Sequence, residues 1–374
     1  MSSGWRGAID RIRLNARQRR NAIISSPSFR KRSMRWPFVG AIAKRRARAL
    51  FDLTAGFSYT QAVLLFVESG VGDALRDREA TVGNLAEETK LAPAIIDRIT
   101  RTALGIGLVV RHRDQIALSD LGVALMNEPG ILAMVRHHAK VYRDLTNPLA
   151  LLTSNEPTET ATFWQYAGGR ADQGTDPYGA AEYSELMAVT QGFVTDEVLA
   201  SYRFSSHRHV VDVGGGSGAF AVRIATAHPG IAITVFDLPD VVPLALTRFE
   251  EQRLANARAI GGSFHNDELP SNGDLYTLVR VLYDHDDVPA LALLRSLHDT
   301  MPDGATLLIA EPMAGLPGAE PVGTYFELYL AAMRSGRCRT PDRIRAMLAD
   351  VGFERTGTVR VAAPVFTGIV TARK

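Results

Sequence analysis

The sequence predicts an α/β fold, a mostly parallel and doubly wound sheet flanked by helices, preceded by a mostly helical region with a winged-helix pattern. Three observations carry this. From His209 onward, short apolar runs alternate with helical stretches: HVVDVG, AITVFDL, LYTLVRVL, ATLLIAEP and VFTGIVTA. Such alternation is the texture of parallel strands buried by helices. The first of these runs leads directly into a glycine-rich turn and a helix. Upstream, Leu85 to Thr89, a turn near Leu91 to Pro93, Ala94 to Leu104, and two short strands around Val109 and Ile116 read as helix, turn, helix and hairpin. The domains are therefore expected at 1–48 (a basic extension), 49–205 (helical, winged-helix-like) and 206–374 (the sheet domain).

The chain has 374 residues, 46% of them apolar, which is enough for two compact cores. A single cysteine, Cys338, excludes an internal disulfide framework and a multi-cysteine zinc site. No uninterrupted run of roughly 18 apolar residues occurs, so no membrane-spanning helix is expected. The N-terminus also lacks the apolar core of a secretory signal.

The net charge of +2 conceals an asymmetry: residues 1–50 hold 14 Lys or Arg against the one acid Asp10, and the rest of the chain is net acidic. Trp5, Ile9, Ile12 and Ala16 recur at helical spacing, with Arg6, Arg13, Arg17 and Arg20 on another face. Further on, FRKRSMRWPF and AKRRARAL mix cations with Phe29, Trp36 and Phe38. Cations interleaved with aromatics suit an anionic membrane surface. A solvated basic tail is the competing reading, and nucleic acid ranks below both. The second helix of the helix-turn-helix, PAIIDRITRTALG, offers only Arg98 and Arg101 among apolar residues. That composition fits a buried or dimer-forming helix better than one reading base edges. No nucleic-acid partner is expected.

The run VVDVGGGSGAFAVRIATAHPGIAITVFDLPDVV, residues 210–242, reads strand, glycine-rich turn, helix and second strand ending in an acid. Gly214, Gly216 and Gly218 let the backbone turn sharply and approach a ligand. Asp237 at the end of the second strand is placed to accept hydrogen bonds from a ribose diol. The glycines alone do not separate NAD from S-adenosylmethionine. Asp212 favours the latter, because a carboxylate there repels a pyrophosphate and welcomes an ammonium.

The whole run resembles the DVGGGxGxF…DLPxV signature of S-adenosylmethionine-dependent O-methyltransferases of the caffeate and acetylserotonin type. The resemblance implies a Rossmann-like class I methyltransferase domain behind a winged-helix dimerisation domain, hence a homodimer. It also implies that Gly214, Gly215 and Gly216 line the methionine part of the cofactor, that Asp237 holds the ribose, and that Leu238 packs on the adenine. Ser263 stands where the family has an acid beside the adenine, and Phe264 keeps a stacking surface. Arg280 occupies the family's basic position, and Gln191 is placed to hold the cofactor's carboxylate. Tyr183 and Met187 would wall the transfer site, with His137 and His138 reaching it from VRHHAKVYRDL. The histidines have no third ligand at metal spacing, so no metal is expected.

Most members of that family read LHDWDD at the reacting strand end, with the His as general base. This chain reads LYDHDD: Tyr283 takes the base position, Asp284 is kept, and His285 takes the tryptophan position. Glu311 in IAEP is kept, while a second flanking acid is replaced by Cys338 in GRCRT. A phenol, with a pKa of roughly 10, is a poor base. An aliphatic alcohol cannot be ionised in advance by any side chain, so catalysis on one would rest on alignment and exclusion of water. Tyr283 is then expected to orient the alcohol while His285 or Glu311 receives a late proton.

RVLYDHDD, IAEPMAGLPGAEPVG, AMVRHHAKVYRDL and FDLTAGFSYTQ together resemble the 1-hydroxycarotenoid O-methyltransferases of purple photosynthetic bacteria. This implies methylation of the tertiary C-1 hydroxyl of acyclic carotenoids of the demethylspheroidene or rhodopin type. It further implies a cytoplasmic location, peripheral on the photosynthetic membrane. The alternatives are an O-methyltransferase of phenolic or polyketide substrates and, in another class, a winged-helix regulator binding a small effector.

Overall fold

The computed structural model describes residues 3–26, 28, 37–164, 177–361 and 367–374, without the side chains of 3–13, 37–39, 177–185 and 193. Phe29, Trp36 and much of the glycine-rich tract 167–180 lie outside the described residues, as do the side chains of Trp5, Ile9, Ile12, Phe38 and Tyr183. The chain forms two compact units, Met1–Gly122 and Val123–Lys374.

The first unit contains helices α1 (Ser3–Ser25), α2 (Pro37–Glu68), α3 (Val71–Ala74), α4 (Val82–Thr89) and α5 (Pro93–Gly105), then strands β1 (Val109–His112) and β2 (Gln115–Leu118). Helix α4 begins where the Thr81 side chain accepts from the Asn84 N–H at 3.2 Å while Asn84 accepts from the Thr81 N–H, a reciprocal cap. Helix α5 starts at Pro93, whose missing N–H is no loss in a first turn, and buries Ile96, Ile99 and Ala103 at helical spacing. β1 and β2 pair antiparallel with Val109 opposite Leu118. The helix-turn-helix and hairpin are those read from the sequence.

Helix α2 corrects one expectation. Gly40–Glu68 is long and apolar enough to cross a membrane by length and composition, and it is mostly not buried. The sequence reading asked for an uninterrupted apolar run. Here Asp52 and several hydroxyl residues interrupt the run, and the surrounding apolar residues keep the helix apolar on average. Leu50, Phe51, Leu53 and Phe57 are exposed along this helix.

Helix α6 (Asp120–Met126) leads into the second unit, where α7 (Pro129–Asp144), α8 (Pro148–Thr153), α9 (Glu159–Phe163) and α10 (Pro177–Ser201) precede the sheet. The sheet region then runs β3 (His209–Val213), α11 (Ala219–Ala227), β4 (Ala232–Asp237), α12 (Val242–Glu251), β5 (Ala257–Gly261) and β6 (Leu275–Val279). It continues through α13 (Asp287–Thr300), β7 (Thr306–Glu311), α14 (Glu320–Met333), α15 (Pro341–Asp350), β8 (Glu354–Val359) and β9 (Gly368–Arg373). The strand order is β5-β4-β3-β6-β7-β9-β8. β3 to β7 pair in parallel, and β9 is antiparallel to both neighbours.

Both faces of the central strands are covered, which is why they read as continuous apolar runs. Val211 and Leu307 pack with α13 and α15 residues such as Leu294 and Leu348, whereas their neighbours Val210 and Leu308 pack on the opposite side with Phe220 and Ile224 of α11. By compactness the chain divides at 122/123, whereas the sequence texture suggested 205/206. The physical reason is α10: Val194 and Val198 belong to the same core as Val210 and Phe220. Strand order reverses between β3 and β6, and a ligand crevice is expected outside the carboxyl ends of those strands.

Candidate active site

β3 ends in the glycine turn. Gly214 has φ +70°, and a Cβ there would lie 2.8 Å from Val281 Cγ2; at Gly215 it would lie 2.5 Å from Asp212 Oδ2. Any larger residue would collide with the next strand's end or with a buried carboxylate. Asp212 is fully buried: its Oδ1 accepts from Thr277 Oγ1 at 2.6 Å, and its Oδ2 has no partner. Burial, with the charge of Asp237 adding to it, raises the Asp212 carboxyl to about 7. At the end of β4, Asp237 accepts from the N–H groups of Gly216 and Leu238, both at 2.7 Å. Burial raises its pKa and these two donors oppose the rise.

A cleft of about 100 Å³ is lined by Gly214 to Gly216, Asp237, Leu238, Arg280, Gln191 and Met187, whereas Asp212, expected among the cofactor residues, lies packed against Gly215 and does not border it. The lining fits S-adenosylmethionine: a strand-end acid, Asp237, for a ribose, a glycine turn that lets a ligand approach the backbone, and Arg280 with Gln191 for a carboxylate, while the orphaned Asp212 oxygen lies behind the turn. Met187 therefore faces this cleft and not the larger cavity beside it. Ser263 and Phe264 do not border the cleft. They follow Gly262, whose N–H donates to the Asp237 carbonyl at 2.9 Å, and the Phe264 ring lies 5.5 Å from that of His285.

The second cavity, about 360 Å³, is walled by α7, α10, α14 and the segment after β6, and its lining is almost wholly apolar. Ile131, Met134, Val135 and His138 project into it from one stripe of α7. Trp164, Tyr283, Pro312, Tyr325, Phe326 and Tyr329 complete much of the wall. Arg280 borders both cavities. It adopts φ 59°, rare for a residue with a side chain, and donates through Nη1 to Thr190 Oγ1 at 2.9 Å and Gln191 Oε1 at 3.5 Å.

Of the four residues expected to react, only Tyr283 borders the cavity. Tyr283 lines the cavity, buried and edge-on to Phe326 with ring centroids 5.6 Å apart. Burial, reinforced by the charges of Asp284 and Glu311, pushes its phenol far above the ordinary value, so it keeps its proton. Asp284, His285 and Glu311 do not border the cavity. Asp284 is raised to about 7 by burial, against the charge of Arg280 and a hydrogen bond from Tyr283. Glu311, fully buried, accepts the Tyr283 N–H at 3.0 Å and is raised to about 8, chiefly by burial and against the Arg339 charge. His285 lies among aromatic rings, 5.3 Å from the ring of His265, and burial lowers it to about 4. His285 and Glu311, expected to receive the proton, lie outside the cavity lining: Glu311 ends β7 behind the Tyr283 N–H, and His285 follows the 3-10 turn Leu282–Asp284. That turn sends neighbouring side chains in different directions.

The two α7 histidines also part. His137 is buried, with Nε2 2.7 Å from the Tyr329 hydroxyl, which accepts from Trp164 Nε1 at 2.9 Å. Since the indole only donates, Tyr329 donates to His137 and fixes its tautomer. Burial lowers His137 to about 4, so it is neutral and structural. His138 borders the cavity, with Nε2 2.8 Å from the Tyr325 hydroxyl.

Sequence reasoning missed Tyr325 and Arg339. Arg339 is buried and donates to the carbonyls of Leu282 and His285 at 2.9 and 2.8 Å. Nearby, Arg337 N–H donates to the Tyr283 carbonyl at 2.8 Å. No signal pointed to these residues, since nothing local distinguishes a clamping arginine or a wall tyrosine. Cys338, between those arginines, is buried with its thiol pushed up to about 12, chiefly by that burial.

Comparison with known proteins agrees with this geometry. The O-methyltransferase domain family matches residues 142–354. The demethylspheroidene O-methyltransferase of Cereibacter sphaeroides is 37% identical over 98% of this chain and 96% of its own. The enzyme of the same name from Rhodobacter capsulatus is 38% identical over 91% of this chain and 85% of its own. The acetylserotonin O-methyltransferase of Mus musculus is 30% identical over 86% of this chain and 87% of its own. In structure, human N-acetylserotonin methyltransferase, solved with SAM, superposes with a TM-score of 0.72 over 88% of this chain and 97% of its own, and at 22% identity it supports the fold alone. A parallel sheet with a glycine turn and an adjoining apolar cavity, together with relatives that match nearly end to end, gives the family: the chain belongs to the O-methyltransferases.

Proposed function

We propose that the protein transfers a methyl group from S-adenosylmethionine to the tertiary C-1 hydroxyl of an acyclic carotenoid. The observation that carries this is the apolar cavity joined at Arg280 to the cofactor cleft, with a permanently protonated Tyr283 where an ionising base would stand. The names of the two bacterial relatives support the same substrate class. When bound, S-adenosylmethionine supplies a methyl group on a cationic sulfur. Asp237 and the glycine turn backed by Asp212 would hold the donor from the sheet side, and Arg280 and Gln191 from the opposite wall. The Tyr283 hydroxyl fixes the alcohol oxygen, and the apolar wall excludes water that would compete for the methyl group. No prior ionisation is needed, because the oxygen becomes acidic only as the new bond forms.

The carotenoid itself resides in lipid, so the reading extends to a homodimer bound peripherally to the cytoplasmic side of an anionic membrane. Support comes from α2, where Arg45, Arg46 and Arg48 precede the exposed Leu50, Phe51, Leu53 and Phe57.

The test is methyl transfer from labelled cofactor to a 1-hydroxycarotenoid and, in parallel, to a simple phenol. Faster turnover of the carotenoid is expected. Faster turnover of the phenol overturns the substrate, and cofactor binding with no product on either overturns the activity.

A further inference from the structure

A proton must leave the alcohol, and the cavity walls restrict where it can go. Among the described residues that line the cavity there is no carboxylate. Arg280 is a fixed cation, Trp164 only donates, and the phenols of Tyr283, Tyr325 and Tyr329 are all shifted upward by burial and stay protonated. Thr190 is no base either. That leaves His138.

Its placement suits the task. Helix α7 carries Ile131, Met134, Val135 and His138 on one stripe, so the imidazole is held on the face that meets the cavity while His137 points into the core. The Tyr325 hydroxyl from α14 lies 2.8 Å from His138 Nε2, and Tyr325 itself borders the cavity. A hydroxyl in that position can accept one proton while passing its own to the imidazole. His138 is only half-buried, which gives the proton a way out to water.

We propose that His138 is the terminal proton acceptor of methyl transfer, reached through the Tyr325 hydroxyl; the inference rests on the methyl-transfer reading above. As the alcohol oxygen bonds to the methyl carbon, the carbon–sulfur bond breaks and its electron pair stays on sulfur. The alcohol O–H bond then breaks, its proton going to the Tyr325 oxygen while the Tyr325 proton goes to His138 Nε2. The products are an ether, a thioether and an imidazolium that discharges to solvent.

Desolvation lowers the His138 pKa, which keeps the ring neutral and able to accept near pH 7. The titratable and charged groups around it are His137 and Lys140 on its own helix, Tyr142 with its ring 6.1 Å away, Tyr325 and Arg280. Among them the cations Lys140 and Arg280 and the neutral His137 would not raise the pKa.

The test uses full-length His138→Gln and Tyr325→Phe. Each is expected to lower kcat on the hydroxycarotenoid roughly 10- to 100-fold, with cofactor affinity by calorimetry and KM nearly unchanged. The acidic limb of the wild-type pH profile should coincide with the His138 pKa read by imidazole NMR, and the limb should vanish in His138→Gln. Tyr325→Phe should shift the His138 Nε2 resonance and its pKa even without substrate. Turnover of His138→Gln within twofold of wild type overturns the inference, as does a His138 titration indifferent to Tyr325→Phe. So does a pair Tyr283→Phe and Asp284→Asn that carries the whole loss, which would send the proton to Asp284. A wild-type enzyme inactive on every hydroxycarotenoid would instead overturn the substrate reading, and the NMR titration would still decide for or against the His138 and Tyr325 pair.

Discussion

Arg339 and Asp287 form an ion pair across the reacting turn, Nη2 to Oδ1 2.8 Å, with the arginine side chain almost wholly buried and the aspartate partly open to solvent. The same guanidinium closes on the carbonyls of Leu282 and His285. Arg339 thus holds the turn that aims Tyr283, from a segment more than fifty residues away in sequence.

Arg339→Lys keeps the charge and loses the fork that spans those carbonyls. A lysine cannot span both carbonyls, and Leu282 alone keeps a second donor in the His285 N–H, so an expected loss of roughly 1–3 kcal/mol should show in urea unfolding. A change below about 0.5 kcal/mol would mean that the turn holds itself.

Tyr283→Phe keeps the ring against Phe326 and removes a hydroxyl that never ionises. Turnover on the hydroxycarotenoid should fall less than about tenfold, with most of the effect in substrate orientation. A folded, cofactor-binding Tyr283→Phe enzyme with no activity would show that the phenol does more than orient.

Glu311 sets a pH dependence of stability. Its carboxyl is raised from 4.5 to about 8, so between those values the folded protein holds a proton that the unfolded chain has released. Stability contributed by this group is therefore present below about pH 4.5 and is lost as pH rises toward 8. Glu311→Gln keeps an oxygen for the Tyr283 N–H and removes the titration. Thermal unfolding between pH 5 and 8 should be flatter in the variant than in wild type, and an identical slope would remove Glu311 as its source.

At the membrane, deleting residues 1–45 should weaken sedimentation with anionic liposomes and leave cofactor affinity intact, since each cation near such a surface contributes about 1 kcal/mol. Leu53→Asp with Phe57→Asp should weaken it further. If the deletion leaves binding unchanged, the basic segment is a solvated tail. If the double variant dissociates a dimer and leaves liposome binding unchanged, the exposed face of α2 meets a second copy of the chain.

The legible parts of the fold were those whose physics is local. β3, β4, β6, β7 and β9 read as apolar runs because both their faces are covered. β5 and β8 were missed: they are the edge strands of the sheet, partly exposed and carrying residues such as Arg258, Glu354 and Arg355. The glycine turn and Asp237, which line the cleft, were legible because their placement follows from backbone geometry within one strand-turn-helix unit, whereas Asp212 sits behind the turn. The reacting side was less so. The family resemblance grouped Tyr283, His285 and Glu311, and of these only Tyr283 borders the cavity, with Glu311 bonded behind it to the Tyr283 N–H. Tyr325 and Arg339 act across long sequence separations that no local pattern encodes.

The apolar cavity also bears on how a catalytic cycle ends. Most of its wall is apolar and holds an alcohol and the methyl ether made from it alike, and the ether has lost the O–H donor that water could solvate. Product therefore has no reason to leave for the aqueous phase, and its escape should depend on a hydrocarbon sink. Adding lipid vesicles to an assay that stalls after the first turnover should restore steady-state rates, whereas equal rates without vesicles would show that release into water is fast.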